Sequence, residues 1–507
     1  MKALTEADYD QLQNSNRSIE LLQRHYEFLV HGSPLDKEIR PATLNGGIRA
    51  LSPEGAAQAL AYFNQYKETR SWMKFVPASG AASRMFAPFY NYQLAKNQSG
   101  FDFNNYLNSP EGALLERLFN ALKQLPFYET AYTQIIEDAS IPLTTDRHFF
   151  EAFIDLVLDP KGLAYPELPK ALIPFFKDEE GQQWTAFEGQ LLEAFQLGDW
   201  HQAIPLHLTI DKAFRSRFED QEKVFQAKLP LKQRQAFHVA YSFQHPLTDT
   251  PYLDAQQERG RDTAGKLAFR KGGHGALLEN LNRLEADLIW IKNIDNISFH
   301  ADNAEGEKWM KILGGYLLQL QNQIFSYLEE LQKPNATPDR TAICQFIQQY
   351  FDPDYQFDPQ GKLPNSVLYD YLNRPLRVCG MIPNEGAKGG GPFWMKDARG
   401  NTLQIIEGVE LDPKHTPHQE ALNQSTHFNP VLMVCGITNH KGEKFSLYEF
   451  RDEKRFMVSE KTMGTTKIKI LEWPGLWNGG MAAWNSIFID LPAATFHPVK
   501  TIADLIR

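Results

Sequence analysis

Short apolar segments of strand length alternate with longer helical patterns along most of this 507-residue chain, and that alternation leaves few architectures open. Residues 74–78, 205–210, 237–243 and 288–294 read as strands: each is short and rich in β-branched or aromatic residues. Residues 377–382, 403–407, 431–437, 445–450, 467–471 and 486–491 extend the series into the final third. Helical patterns fall between many of these runs, including 276–285 and a long stretch at 305–332 that contains few breakers. Strands separated by helices are joined by crossovers, and crossovers favour parallel neighbours. The expected fold class is α/β, with a mixed, mainly parallel sheet flanked by helices.

The first 70 residues read as helical. Ile19, Leu21, Leu22, Tyr26, Phe28 and Leu29 fall near helical spacing before Gly32, and Ser52-Pro53-Glu54 is a helix start. Residues 86–165 again show a helical pattern, with Leu114, Leu115, Leu118, Leu122 and Leu125 on one face, whereas 333–375 is a Pro/Asp-rich connection. The expected organisation is a helical segment over 1–70, then one α/β core over 71–507 carrying helical insertions at about 86–165 and 300–375.

Composition narrows the function classes. Apolar residues make up 42% and charged residues 22%, enough to build a core. No apolar run approaches the ~18 residues of a membrane span, and the first residues lack the apolar centre of a signal peptide. Three cysteines without CxxC spacing (Cys344, Cys379 and Cys435) fit inert thiols in a reducing cytoplasm. The net charge is −10, from 52 Lys+Arg against 62 Asp+Glu, with no basic block. Nucleic acid and membrane are therefore not expected partners, and an anionic ligand requires a local cluster of donors.

Four passages carry chemistry. In Phe75-Val-Pro-Ala-Ser-Gly-Ala-Ala-Ser-Arg-Met85, the small residues Ser79, Gly80, Ala81 and Ser83 let backbone N–H groups approach a phosphate at a helix start. Arg84 would add a bidentate cation. A tight turn with a solvated arginine fits the same residues, and no Gly-Lys-Ser/Thr closes a Walker loop. Lys170 is a lone lysine in the apolar run 168–175, the pattern of a strand-end residue that snorkels. Gly273, His274 and Gly275 form a turn that a flat ligand can approach, or a helix-start loop with a structural histidine. Asp295 ends an apolar strand, where a hard carboxylate suits Mg²⁺ that bridges phosphates; an Asx turn is the other reading. Three further segments are weaker. His415, His418 and His427 hint at zinc without thiolate or carboxylate support, 386–394 reads as a lid bearing Lys388 or a plain loop, and 473–484 reads as an aromatic wall or plain core.

The small-residue loop ending in Arg84-Met85, followed by Pro169-Lys-Ala-Leu172, resembles the nucleotide-sugar nucleotidyltransferases, or sugar-nucleotide pyrophosphorylases. Ser79 and Ala82 stand where that family's loop carries glycine. The Gly-rich turn around His274 is similar to the base-recognition loop of the UDP-sugar branch. The segments 377–382, 403–407 and Phe428-Asn429 resemble its sugar-phosphate motifs, and Thr495-Phe-His-Pro-Val-Lys500 its late lysine element. The resemblance implies a nucleotide-diphospho-sugar transferase fold (GT-A-like, Rossmann-like). It also implies nucleotide binding by Ser79, Gly80, Ala81, Ser83, Gly273, His274 and Gly275, phosphate contacts from Arg84, Lys170 and Lys500, and sugar-phosphate binding by Gly380, Glu407 and Asn429. Asp295 becomes the Mg²⁺ ligand, and Asn478 stands where an acidic residue is expected. As a whole the chain also resembles an uncharacterised family, domain of unknown function 4301, through Gly-Gly-His-Gly-Ala-Leu, Asn-Ile-Asp-Asn, Gly-Gly-Gly-Pro-Phe-Trp and Pro-Gly-Leu-Trp-Asn-Gly.

The implied activity is that of a sugar-phosphate nucleotidyltransferase. A sugar 1-phosphate attacks the α-phosphorus of a nucleoside triphosphate, UTP foremost, and pyrophosphate leaves. A non-catalytic nucleotide or nucleotide-sugar binding protein on the same fold is the alternative. A glycosyltransferase would be expected to carry Asp-x-Asp, where this chain has Asp295-Asn296.

Overall fold

The strand Leu288–Lys292 is buried at all five positions, as expected for a strand covered on both faces. It belongs to the larger of two units defined by the computed structural model, which describes residues 3–32, 35, 37–138, 144–198, 203–230, 233–234, 237–298, 303–333, 337–356, 364–386, 389–463 and 466–506. The larger unit comprises Met1–Phe75, Ser242–Lys292 and Lys308–Ala493; the smaller comprises Val76–Tyr241, Asn293–Glu307 and Ala494–Arg507.

The central sheet of the larger unit runs in the order Thr43–Leu44, Gly47–Arg49, Asn485–Asp490, Leu376–Pro383, Leu432–Gly436, Leu288–Lys292 and Trp72–Pro77. Pairing is parallel except around Leu432–Gly436, which runs antiparallel to both neighbours. The fold is thus α/β with a mixed, mainly parallel sheet. Ile289, Ile291, Met381, Met433, Cys435, Trp484 and Phe488 fill one core against it. The helix Pro53–Tyr66 begins as its sequence signals, with Ser52 accepting from the Gly55 N–H and proline in the first turn. It meets the long helix Asn303–Gln332 closely: a Cβ on Gly315 would lie 1.8 Å from the Ala59 carbonyl oxygen, so glycine is required there. Two smaller antiparallel sheets complete the unit. One joins Ile39–Pro41, Gly391–Asp397 and Gly400–Ile406; the other joins Phe269–Arg270, Thr250–Leu253, Thr466–Glu472 and Met457–Met463.

In the smaller unit, Ala87–Lys96, Ala113–Asn120, Tyr128–Glu137 and Asp146–Leu158 are helices sharing an aromatic core that includes Phe89, Phe127, Phe150 and Phe153. The hairpin Pro174–Lys177/Gln183–Thr185 leads into the helix Ala186–Leu197 through a reciprocal cap between Thr185 and Glu188. Among the described residues no helix is long and apolar enough to cross a membrane.

Several elements differ from the sequence expectation. Residues 445–450, expected as a strand, hold a 3-10 turn at Leu447–Phe450, because the Leu447 N–H donates to the Asn282 side chain and its own side chain is buried. The expected helix 276–285 is shorter, a 3-10 turn at His274–Leu277 and one α-turn at Leu278–Asn282. The connection 333–375 carries helices Arg340–Tyr350 and Asn365–Leu372; Asp339 caps the first, and Ile343, Phe346 and Ile347 bury its apolar face. The first 70 residues contain three short strands as well as helices. Cys344, Cys379 and Cys435 are buried and unbridged, and burial pushes the Cys379 thiol up to about 11.

Candidate functional site

In the smaller unit the chain passes through loop residues 78–86 and enters the helix Ala87–Lys96. Backbone bonds hold this loop. Ala78 N–H donates to Thr209 O (2.9 Å), Ala82 N–H donates to Leu168 O (2.9 Å), and Gly80 O accepts from Lys170 N–H (3.0 Å). The loop and the segment around Lys170, far apart in sequence, are therefore bridged side by side at Ala81 and Pro169. Gly80, Ala81, Ser83 and Arg84 are exposed and Ser79 is half-buried. A Cβ on Gly80 would meet nothing within 4 Å, so the loop presents an open surface there. Among the described residues the Arg84 side chain makes no hydrogen bond or ion pair, which leaves its guanidinium open to a ligand.

Asp295 anchors the same unit. Lys170 Nζ lies 2.8 Å from its Oδ2, while Lys500 Nζ lies 3.0 Å from Oδ2 and 3.2 Å from Oδ1. The C-terminal segment is laced in place to make this possible. Val499 N–H donates to Asp295 O, and His497 N–H donates to the Asn296 side chain. Gln190 Nε2 donates to the Asn293 carbonyl just upstream (3.1 Å). Burial alone would raise the Asp295 carboxyl, but the two ammonium groups outweigh it and hold it below the usual range. Burial lowers Lys170, and Asp295 opposes that loss of charge. The Lys500 side chain is 52% exposed against 15% for Lys170, so Lys500 is the cation able to swing toward a ligand. Asp504 was not singled out from the sequence. Its carboxylate accepts from the backbone N–H groups of Lys500 and Thr501 and fixes the turn that carries the lysine. The Thr501-x-x-Asp504 pattern, a capping box, is the signal that could have found it.

A second cluster lies in the larger unit, where three strand ends converge. The turn around His274 follows Phe269–Arg270, Glu407 follows Gly400–Ile406, and residues 473–481 follow Thr466–Glu472. Gly273 has φ +72°, and a Cβ there would lie 2.3 Å from the Glu472 carboxylate; one on Gly275 would lie 2.3 Å from Pro474 O. The glycines thus let the His274 turn close on the 472–475 backbone. The His274 ring stacks on Trp477 with centroids 4.3 Å apart. Its Nδ1 accepts from the Leu476 N–H (3.2 Å), which places the proton of the neutral ring on Nε2, 3.8 Å from Glu407 Oε1. Burial lowers the His274 pKa, so the ring is neutral near pH 7. Burial and the Glu472 charge raise the Glu407 carboxyl, opposed by hydrogen bonds from Trp477 and Asn478.

Two supports of this cluster were not legible as functional. Arg377, fully buried, donates from Nη1 to the Trp477 carbonyl (2.6 Å) and from Nε to Ser486 Oγ (2.8 Å). The buried pair Glu410–Arg455 receives the Glu407 N–H on Glu410 Oε1 and holds its turn. Gly380 and Asn429 are brought against each other instead. Asn429 Nδ2 donates to Gly380 O (2.8 Å), its Oδ1 accepts from the Val431 N–H, and both residues are buried. Asn478 is fully buried, with Nδ2 on Ile405 O. His418 Nε2 meets the Lys37 carbonyl and His427 lies 3.3 Å from Asp490. Among the described residues no group of three or more His, Cys, Asp or Glu side chains is arranged to hold a metal. Lys388 lies outside the described residues.

Residues 5–507 match the model of the domain of unknown function DUF4301, and the chain belongs to that family. No curated protein matches the sequence. Among solved structures the chain is similar to a UDP-glucose pyrophosphorylase variant from Leishmania major in complex with UDP-glucose, with 12% identity, 99% of this chain and 79% of that chain covered, and a TM-score of 0.45. It is likewise similar to the uridine diphosphate N-acetylglucosamine pyrophosphorylase from Trypanosoma brucei in complex with inhibitor, with 12% identity, the same coverages and a TM-score of 0.47.

Proposed function

We propose that the protein is a sugar-phosphate nucleotidyltransferase, joining a nucleoside triphosphate, UTP foremost, to a sugar 1-phosphate with release of pyrophosphate. The observation that carries this reading is the convergence of Lys170, Lys500 and Asp295 in the unit that holds the open 78–86 loop and the unpaired Arg84. Phosphoryl chemistry of this type asks the protein for alignment and charge neutralisation and for no side-chain nucleophile, because the sugar phosphate is already an anion.

The backbone of Ser79, Gly80, Ala81 and Ser83 would line the triphosphate, with Arg84 forked onto one phosphate. Lys170, held by the Gly80 carbonyl through its backbone N–H, would keep a fixed charge near the reacting phosphorus. Lys500 would move from Asp295 to the departing pyrophosphate. Asp295 offers one carboxylate, which matches the sparse protein ligation of Mg²⁺, a hard cation that takes one or two carboxylates together with substrate phosphates and spreads their charge. In the larger unit, taken by itself, the neutral His274 on Trp477, with the raised Glu407, offers a surface that suits a flat ring. Gly380 and Asn429 would act by shaping that region, since Asn429 directs both ends of its amide to backbone.

One observation favours the rival reading, a nucleotide or nucleotide-sugar binding protein without turnover: both oxygens of Asp295 are already taken by lysines. Pyrophosphate release separates the two. Purified protein with Mg²⁺, UTP and a panel of sugar 1-phosphates is expected to give product, and Lys500→Met, which leaves the Lys170–Asp295 pair intact, is expected to lower kcat/KM about 10²-fold. Tight UTP binding with no product above an Asp295→Ala control selects the rival.

A further inference from the structure

The larger unit contains a cavity of about 350 Å³ that shares no lining residue with the His274–Glu407–Trp477 cluster. That volume falls within the ~300–1,000 Å³ of small-molecule sites. Its walls come from the strand Gly47–Arg49 and the turn before it, the C-terminal end of the helix Arg340–Tyr350, and the strand residue Trp394.

Two guanidiniums line it, each lying over an aromatic ring. Arg40 is 5.4 Å from the Trp394 ring centroid and Arg49 is 4.7 Å from that of Tyr350. Stacking fixes the plane of a guanidinium while leaving its edge N–H groups for a ligand. The only side-chain hydrogen bond Arg49 makes among the described residues is to the Gln349 carbonyl, and its guanidinium has no carboxylate partner there. Arg40 faces one carboxylate, that of Asp354, at 3.8 Å on an exposed surface, a contact of little strength. The Trp394 ring is itself fixed, its Nε1 donating to Gly46 O (2.8 Å). Gly47, at φ +121°, keeps the floor open: a Cβ there would lie 2.7 Å from that same Nε1. Two arginines with unspent donors, set on rigid rings in a chain of net charge −10, are a local anion site that the global field does not create.

A phosphate monoester carries about −1.5 to −2 charges near neutral pH and accepts forked bonds from two guanidiniums. The cavity is larger than a bare phosphate, and the amides of Gln348 and Asn45 on its lining suit hydroxyl groups. We propose that this cavity is a second ligand site, binding a small phosphorylated, polyhydroxylated molecule through Arg40 and Arg49.

The test uses the full chain carrying Arg84→Met, Lys170→Met and Lys500→Met, so that the three phosphate cations of the proposed catalytic site are gone. Glucose 6-phosphate and inorganic phosphate are titrated by calorimetry, with hydrogen exchange followed across the molecule. The expected result is binding of glucose 6-phosphate with protection confined to residues 39–50 and 345–356. Adding Arg49→Gln should weaken it about 10-fold or more, and Arg49→Lys less, since the charge survives without the fork. If Arg49→Gln fails to fold, Arg40→Gln, at an exposed position, carries the same expectation. Absence of protection in these segments, or affinity unchanged in both arginine variants, overturns the site. Equal affinity for phosphate and glucose 6-phosphate overturns the polyhydroxylated ligand. Pyrophosphate release, measured on the unmodified chain, fails or succeeds independently of these results.

Discussion

His25 illustrates how a single buried group ties stability to pH in this chain. Its ring sits edge-on to Phe456 and Trp473, and its Nε2 has no partner among the described residues. Burial, reinforced by the charges of Arg24, Arg17 and Arg451 and opposed by Glu453, pulls its pKa from the ordinary 6.5 down to about 4. The folded state therefore holds the ring neutral where the unfolded chain would bind a proton. The stability this contributes is fully present above pH 6.5 and is lost as pH falls through about 4, and that difference corresponds to at most about 3 kcal/mol. Replacing His25 by Phe should leave urea midpoints near those of the parent at pH 7 and above them at pH 4.5. Parallel pH profiles for the two proteins would show that His25 does not titrate in this way. Residue-scale chemistry was partly legible in sequence. Lys170, Asp295 and Lys500 stood out through a resemblance in motif order, yet only the fold shows two ammonium groups on one carboxylate. Arg377 was legible as a strand residue and nothing more, because its partner is a backbone carbonyl 100 positions away.

At the scale of elements, the 473–481 segment is packed closely against the His274 turn. Gly475 is hemmed in: a Cβ there would lie 2.3 Å from Asn478 Oδ1 and 2.8 Å from His274 Cε1. Asn478 is fully buried and cannot move aside without giving up its bond to Ile405 O. Gly475→Ala should therefore cost about 1–3 kcal/mol by overpacking and displace His274 from Trp477. The measurement is a melting curve together with tryptophan fluorescence; an unchanged spectrum at unchanged stability would mean the segment yields freely. Strands buried on both faces were visible in sequence because they read as unbroken apolar runs, Leu288–Lys292 and Leu432–Gly436 among them. Gly391–Asp397 was not, because its glycine and proline mimic a loop while its place in the sheet depends on pairing with Gly400–Ile406 and Ile39–Pro41. The helix Arg340–Tyr350 was hidden for a related reason: its flanks are rich in proline and aspartate, and its cap, Asp339, looked like part of a linker.

For the whole molecule, charge is the quantity that sorts these sites. A chain with 62 acidic against 52 basic residues does not attract polyphosphate at long range, so binding must come from cations gathered at short range. The two clusters proposed for phosphate gather them differently. Lys170 and Lys500 are already partly neutralised by Asp295, whereas Arg40 and Arg49 stand on aromatic rings with little opposing carboxylate. A triphosphate arriving at the first must release an ammonium group from a carboxylate held below its usual pKa. Its affinity should therefore fall with salt, about 10-fold between roughly 0.05 and 0.5 M, as the Debye length contracts from over ~10 Å to a few ångströms. Lys500→Met should flatten this dependence more than it weakens binding at high salt, because the exposed lysine supplies the part of the attraction that ions screen. Titrations of UTP across that range, on the parent and on Lys500→Met, give the two slopes directly. Equal slopes would place Lys500 outside the phosphate field, and the cluster would then be an internal brace for Asp295 and the C-terminal segment.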